Sequence, residues 1–215
     1  MKIVTSCKPF EEVQDLLKNL AKIYLIGCGG CATELKTGGK KEVLAMKARL
    51  EETGKAVTGW MIIPNVCDEL TVYAVKKEAK KIQLADAILV LACGFGVQRV
   101  SGNTAIPAIP GLDTLFIGYN NELGVVSEIC RQCGQCLLGE TAGICPITAC
   151  RKGLLNGPCG GTNKGKCEID KEKDCAWTLI YKRLKEQGRF DVLEKIHEPK
   201  KYNITKNPGR VRVNR

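Results

Sequence analysis

The chain of 215 residues carries a net charge of +10, thirteen cysteines and a single histidine. Its length allows one sizeable core plus a smaller appendage, so folding does not require cross-links. Residues 87–97 form the longest apolar or glycine run, which is shorter than the roughly 18 to 20 residues of a membrane span. Charged residues interrupt the first twenty positions, unlike the apolar core of a signal peptide. We therefore expect a cytoplasmic protein with no membrane span.

Residues 1–120 alternate β-rich runs with amphipathic helical stretches. This alternation predicts an α/β domain, a flavodoxin-like or Rossmann-like parallel sheet with helices on both faces. The run at 87–92 is apolar at every position, as expected of a central strand that is covered on both sides. The predicted strands are 22–27, 57–63, 87–92 and 114–118, and the predicted helices are 11–20, 39–52 and 68–84.

Residues 121–190 form the second predicted region, a small cysteine-rich module followed by a helix over 175–189. Eight cysteines and many glycines lie between Cys130 and Cys175 with only short apolar runs, so bound metal must largely organise this module. Residues 191–215 are a predicted basic tail, and positions 198–215 alone carry a net charge of +5. Because half of the excess charge lies in this tail, the net charge is weak support for nucleic-acid binding.

Four cysteines follow three successive predicted strands. Cys28 and Cys31 come after the first strand, Cys67 after the second and Cys93 after the third. Because the carboxyl ends of parallel strands meet at one edge of a sheet, we expect the four thiolates to share a metal site there. The alternative is that Cys67 and Cys93 are ordinary buried cysteines that pack as small apolar groups.

Glycines flank these cysteines and are expected to point N–H groups at sulfur. They are Gly29, Gly30, Gly94 and Gly96. Residues 27–32 also match the dinucleotide pattern G-x-G-x-x-A. The next strand, however, ends without an acidic residue to hold a ribose, so a nucleotide site is the weaker interpretation.

The cysteine-rich module contains Cys130, Cys133 and Cys136 at CxxCxxC spacing, followed by a Cys145-Pro146 pair. This pattern is similar to the ferredoxin arrangement that binds a 4Fe-4S cluster, although eight residues separate Cys136 from Cys145. With Cys150, Cys159, Cys167 and Cys175, the module has eight candidate ligands, enough for two clusters or for one cluster and a zinc ion. The spacing leaves the grouping open.

No catalytic residues are predicted. The single histidine, His197, is remote from the cysteines and is expected to be solvated. Cys7 has no partner nearby in the sequence, so a packing role is expected for it. A reducing cytoplasm favours metal ligation over disulfides for the other twelve cysteines.

Three segments carry a resemblance to a known family. They are residues 139–146 (GETAGICP), residues 150–161 (CRKGLLNGPCGG) and residues 175–184 (CAWTLIYKRL). They resemble the C-terminal cysteine-rich domain of the methylenetetrahydrofolate reductase family. The GCGGC turn and the LACGFGVQ segment resemble the remainder of its MetV-type small iron-sulfur subunit, found in acetogens and related anaerobes.

The resemblance implies an electron-transfer subunit with two or three 4Fe-4S clusters, or with zinc in place of one of them. It also implies a flavin-binding methylenetetrahydrofolate reductase catalytic subunit as partner, alone or with further redox subunits. Flavin and folate would bind only to that partner, in one-carbon metabolism of the acetyl-CoA pathway. The alternatives are a zinc-stabilised scaffold without redox function and, as the weaker one, a zinc-ribbon protein that binds nucleic acid.

Overall fold

The computed structural model describes residues 1–122 and 124–201. The chain divides into two compact units, the first comprising Met1–Val126 and the second beginning at Ser127. None of the helices in the described ranges combines the length and the apolar character that crossing a membrane requires.

A four-stranded parallel sheet forms the centre of the first unit, in the order β3-β2-β4-β5. Its strands are β2 (Lys22–Cys28), β3 (Ala56–Ile63), β4 (Ala87–Leu91) and β5 (Ala108–Pro110). Every residue of β4 is buried, as the apolar run in the sequence predicted. The predicted α/β class is confirmed.

Helices cover this sheet in an arrangement that follows from the strand order. The helices of the first unit are α1 (Phe10–Leu16), α2 (Cys31–Glu34), α3 (Lys40–Glu52), α4 (Leu70–Lys77), α5 (Ala79–Ile82) and α6 (Gly94–Ser101). The chain passes from β2 outward to β3 and then returns past β2 to β4. Because parallel crossovers are right-handed, α3 lies on the face opposite α4, α5 and α6. The reversal makes the crevice between β2 and β4 the switch point of the sheet.

A second, three-stranded sheet in the order β1-β6-β7 was not expected from the sequence. Its strands are β1 (Lys2–Cys7), β6 (Leu112–Glu122) and β7 (Val125–Ser127), and β1 pairs antiparallel with β6. The predicted strand 114–118 therefore lies in β6, outside the parallel sheet. The fourth parallel strand is β5, at the edge of the sheet, where Pro110 is tolerated because one side of the strand makes no ladder bonds.

Two predicted helices differ in length from those observed. The first ends at Leu16 rather than Leu20. The stretch 68–84 contains α4 and α5, separated at Glu78, whose φ of −96° and ψ of 12° depart from helical values. Asp68 accepts a hydrogen bond from the N–H of Glu69, but it makes no capping bond to α4.

The second unit has little regular structure and a small hydrophobic core. It contains α7 (Pro146–Ala149), α8 (Ala176–Glu186) and a 3₁₀ helix (Phe190–Glu194). Its buried core consists of Ala142, Trp177, Ile180 and Leu184. Gly188 follows α8 with a φ of +65°, a conformation that glycine adopts readily and that ends the helix.

One aromatic residue of α8 lies partly outside the packed face of the helix. Tyr181 is 52% exposed, and its ring lies 4.9 Å from that of Phe190 in the 3₁₀ helix.

The central strand should dominate the stability of the first unit. Leu89→Ala removes a fully buried side chain from β4, so the free energy of unfolding should fall by about 2–5 kcal/mol. Leu84→Ala is the matched control, because Leu84 is 63% exposed and its loss should cost less than about 0.5 kcal/mol. Urea unfolding followed by far-UV circular dichroism measures both, and equal losses would contradict this packing.

Candidate metal sites formed by three cysteine groups

Twelve of the thirteen cysteines line three separate cavities, with four cysteines at each. All thirteen lie in the described ranges, and none forms a disulfide. This partition supplies the grouping that the sequence left open. We define group 1 as Cys28, Cys31, Cys67 and Cys93; group 2 as Cys130, Cys133, Cys136 and Cys145; and group 3 as Cys150, Cys159, Cys167 and Cys175.

Group 1 lies at the carboxyl edge of the parallel sheet. Cys28 is the last residue of β2, and Cys31 is the first residue of α2. Cys67 lies in the loop after β3, and Cys93 directly precedes α6. The four thiols line a cavity of about 30 Å³ at the β2/β4 switch point. Strand-end placement in the sequence therefore identified neighbours in space.

Close backbone packing brings the loops of group 1 together. A Cβ atom on Gly29 would lie 3.1 Å from the Cα of Pro64, and one on Gly30 would overlap the side chain of Asn65. The turn between Cys28 and Cys31 therefore packs directly against the loop that leads to Cys67. Side chains larger than hydrogen at these two glycines would separate the two loops.

At two of the four glycines that flank the cysteines, the backbone N–H does not point at sulfur as expected. The N–H of Gly29 donates to the carbonyl of Ile63 at 2.8 Å. The N–H of Gly94 donates to the hydroxyl of Thr114, also at 2.8 Å. These donors fasten the loops to neighbouring strands, so their role is to position the cysteines.

The other cysteines of group 1 raise the free-energy cost of ionising Cys67. Burial raises the pKa of Cys67, and the neighbouring Cys93, Cys28 and Cys31 raise it further through charge repulsion. A bound cation removes this repulsion, because it favours the deprotonated form of each ligand.

Group 2 occupies the loop from Cys130 to Cys136 together with Cys145. Its cavity has a volume of about 260 Å³, and Ile129, Leu137, Leu138 and Ile147 contribute to its walls. Cys145 is the N-cap residue of α7, and Pro146 takes the first helical position, where its missing N–H costs nothing. The hydroxyl of Thr148 donates to the carbonyl of Ile129 at 3.1 Å, which ties the start of the loop to α7.

A lysine remote in sequence contacts group 2. The ammonium of Lys200 lies 3.4 Å from the sulfur of Cys133 and also donates to the carbonyl of Gln135. A backbone hydrogen bond of Gln135 lowers the pKa of Cys133 most, burial opposes it, and Lys200 lowers it further. The environment therefore favours the thiolate of Cys133.

Group 3 lies between α7 and α8, around a cavity of about 20 Å³. Short backbone bonds hold two of its members, from the N–H of Cys167 to Lys173 at 2.9 Å and from the N–H of Cys175 to Gly165 at 2.7 Å. Cys175 is the N-cap residue of α8. Burial raises its pKa, but hydrogen bonds from Thr178, Trp177 and Thr162 outweigh burial and lower it overall.

The donor sets fit metal centres in composition. Four thiolates are the ligand set of 4Fe-4S clusters and of many structural zinc ions. Across residues 1–122 and 124–201, no three His, Cys, Asp or Glu side chains already converge as ligands of one ion. The four thiols of each group line one cavity, so each group brings four potential thiolate ligands to one place. The metal identity stays a prediction.

Another cavity, of about 390 Å³, lies within the second unit and is not lined by cysteine. Glu140 and His197 are among its lining residues, and His197 Nε2 lies 3.1 Å from a carboxylate oxygen of Glu140. The side chain of His197 is 13% exposed, so its expected solvation is wrong. These contacts join residues more than fifty positions apart, which the sequence pattern did not reveal.

Cys7 lies apart from the three groups. It is exposed, and its sulfur lies 3.6 Å from the carbonyl oxygen of Thr37. The expected packing role is not seen, because the residue is outside the hydrophobic core.

Comparison with known proteins bears on the second unit. Residues 109–203 match the family described as "Methylene-tetrahydrofolate reductase C terminal". This part of the chain is similar to that family. The matched region contains groups 2 and 3 and the three segments that carry the resemblance.

Two other comparisons add little. A search of curated proteins found no match. Among solved structures, an ABC transporter substrate-binding protein from Sphaerobacter thermophilus is similar to 48% of this chain and 28% of its own, with 18% identity and a TM-score of 0.36. At that TM-score the likeness supports no inference about this chain.

The packing around group 1 can be tested at Gly38. Its carbonyl accepts the N–H of Cys28 at 2.9 Å, and an added Cβ would overlap the carbonyl of Leu91. Gly38→Ala should therefore lower the free energy of unfolding by about 1–3 kcal/mol. Gly102→Ala, whose Cβ would lie 3.4 Å from the carbonyl oxygen of Gln98, should leave it unchanged or slightly higher. Urea unfolding compares the two, and an unaffected Gly38→Ala would contradict the packing.

Proposed function

We propose that this protein is an iron-sulfur electron-transfer subunit of a methylenetetrahydrofolate reductase complex. It passes electrons to or from the flavin of a partner catalytic subunit, in the one-carbon metabolism of the acetyl-CoA pathway. The observation that supports this most is the partition of twelve cysteines into three groups of four, in a chain whose residues 109–203 match the reductase family. The site of action is the cytoplasm, where thiols stay reduced.

Group 2 has the features that best fit a 4Fe-4S cluster. Its CxxCxxC loop and its remote Cys145-Pro146 pair are similar to the ferredoxin pattern, and its cavity of about 260 Å³ has room for an inorganic core. Group 1 is the second proposed cluster site, because its four thiols come from three strand ends that meet at a sheet edge. A cluster bound at either group would supply one-electron transfer.

The residues of the chain hold and orient the ligands. At group 1, the backbone bonds of Gly29 and Gly94 fix the loops that carry Cys28 and Cys93. At group 2, apolar side chains line the cavity, and the bond from Thr148 to Ile129 ties the loop to α7. Ligand orientation, burial and local hydrogen bonds are the means by which a protein sets the potential of a metal centre.

Group 3 is where zinc is the alternative to a third cluster. Four thiolates are the ligand set of many structural zinc ions, and group 3 supplies such a set. Cysteines there connect α7, α8 and the turns between them, so a zinc ion would stabilise the small core of the second unit. If all three groups held zinc, the protein would be a scaffold without redox function that positions its catalytic partner.

The partner in this proposal is a flavin-binding catalytic subunit that holds both the flavin and the folate. Further redox subunits are compatible with the same role. Nucleic acid is the weaker partner, because aromatic residues make up only 5% of the chain and half of its excess positive charge lies in the tail.

Metal analysis of cysteine variants, purified without oxygen together with a flavin-binding catalytic subunit, tests the proposal. Cys31→Ser and Cys133→Ser should each remove about four iron and four sulfide ions per chain and slow electron transfer to the flavin. Cys167→Ser should remove either zinc or a third set of iron and sulfide. Cys7→Ser is the matched control and should leave metal content and flavin reduction unchanged, since Cys7 lies outside the three groups.

Two outcomes would contradict the proposal. A colourless wild-type protein with zinc at every group and no iron would indicate the scaffold. Full iron content with no electron exchange with the flavin would leave the clusters in place but remove the proposed partner reaction.

A further inference from the structure

The segment after α8 folds back over the second unit. We call residues 189–201 the C-terminal strap. The guanidinium of Arg189 donates to the carbonyl of Gly139 at 2.8 Å. Further along, the side chain of Asn156 accepts the N–H of His197 at 2.7 Å and donates to its carbonyl at 2.9 Å. Asn156 therefore holds the strap by a pair of bonds to one residue.

A carboxylate fastens the same part of the strap from another side. Glu140 pairs with both Lys195 and His197. These anchors are remote in sequence from the residues they hold, so they fix the course of the strap along the unit. Their consequence is that the residues after His197 are directed to a defined place.

That place is the loop of group 2. The N–H of Lys201 donates to the side-chain oxygen of Gln135 at 2.9 Å. The ammonium of Lys200 lies 3.4 Å from the sulfur of Cys133 and also contacts the carbonyl of Gln135. The strap thus places the positive charge of Lys200 beside Cys133, which is one ligand of the proposed cluster.

The charge of Lys200 is not balanced by a nearby carboxylate. By contrast, Arg131, which lies in the loop of group 2, pairs with Glu128 at 3.2 Å. Lys200 forms no ion pair with any carboxylate in the described part of the chain, and its side chain is half-buried beside the cavity. Water screens such a charge less than it screens a fully exposed one.

We propose that the strap holds the Lys200 ammonium against Cys133 to raise the reduction potential of the cluster in group 2. This inference rests on the proposed function, since it needs a cluster at that group. Reduction adds negative charge to the cluster, and a fixed positive charge beside a ligand sulfur stabilises that form. Lys200 is a tuning residue, and Asn156 is a positioning residue that acts through it.

The size of the effect follows from the hydrogen bond. A hydrogen bond that involves a charged group stabilises the state in which it is made more than a neutral hydrogen bond does. Only part of this stabilisation differs between the oxidised and the reduced cluster. We therefore expect about a tenfold change in the one-electron reduction equilibrium, which corresponds to about 59 mV.

The test is a redox titration of the full chain, monitored by electron paramagnetic resonance. The signal that Cys133→Ser removes identifies the group 2 cluster. Lys200→Gln should shift the midpoint potential of that signal by about 59 mV to a more negative value, which corresponds to the tenfold change in the reduction equilibrium. Lys201→Gln is the matched control, because it removes the same charge one residue away, where only the backbone contacts group 2. Its shift should be much smaller.

Two further variants separate charge from structure. Lys200→Arg keeps the charge and should restore most of the wild-type potential, which a merely structural role would not predict. Asn156→Ala releases the strap and should shift the potential in the same direction as Lys200→Gln. The double variant should shift no further than Lys200→Gln alone, since both changes act on one interaction.

The outcomes distinguish this inference from the proposed function. An iron-loaded group 2 whose potential is unchanged by Lys200→Gln would overturn the role of the strap and leave the proposed function intact. Equal shifts for Lys200→Gln and Lys201→Gln would also overturn it, because the effect would then be one of net charge. A protein with no iron at group 2 would overturn both.

Discussion

Cysteines from distant parts of the chain must meet around common cavities, and this convergence is the constraint on which the proposed sites depend. Four ionised sulfurs in one half-buried space destabilise the fold unless a cation lies among them. At group 1, burial and the neighbouring cysteines raise the pKa of Cys67, so ionising this thiol without a cation costs free energy. A bound metal would offset this cost, because each thiolate would gain a ligand bond.

The two units meet this constraint by different means. In the first unit a large hydrophobic core forms the parallel sheet, and the sheet places the strand-end cysteines of group 1 together. In the second unit four buried residues form the core, around which groups 2 and 3 hold long irregular segments. The second unit should therefore depend on metal for folding far more than the first does. Under the proposed function, strand geometry positions the ligands in the first unit, and ligation would order the chain in the second.

The sequence predicted group 1 because parallel strands place their carboxyl ends at one edge, a rule that needs no detailed packing. It could not assign the eight cysteines of the module to groups. In this module, single turn residues with positive φ, such as Gln132 and Lys164, set the direction of the chain. The periodicity of apolar residues in the sequence does not reveal such turns. Strand β1 escaped prediction because its partner β6 is more than one hundred residues away. Lys200 was assigned to the basic tail, since only the path of the strap reveals its contact with Cys133. Residues 202–215, which complete that tail, lie outside the described residues.

Anomalous X-ray scattering from crystals of the anaerobically purified protein, recorded at the iron and zinc absorption edges, tests the central claim most directly. The account predicts three separate metal centres, each bonded to the four sulfurs of one group, with iron at groups 1 and 2. Metal bonded to cysteines of two different groups, or cysteines joined in disulfides, would contradict it.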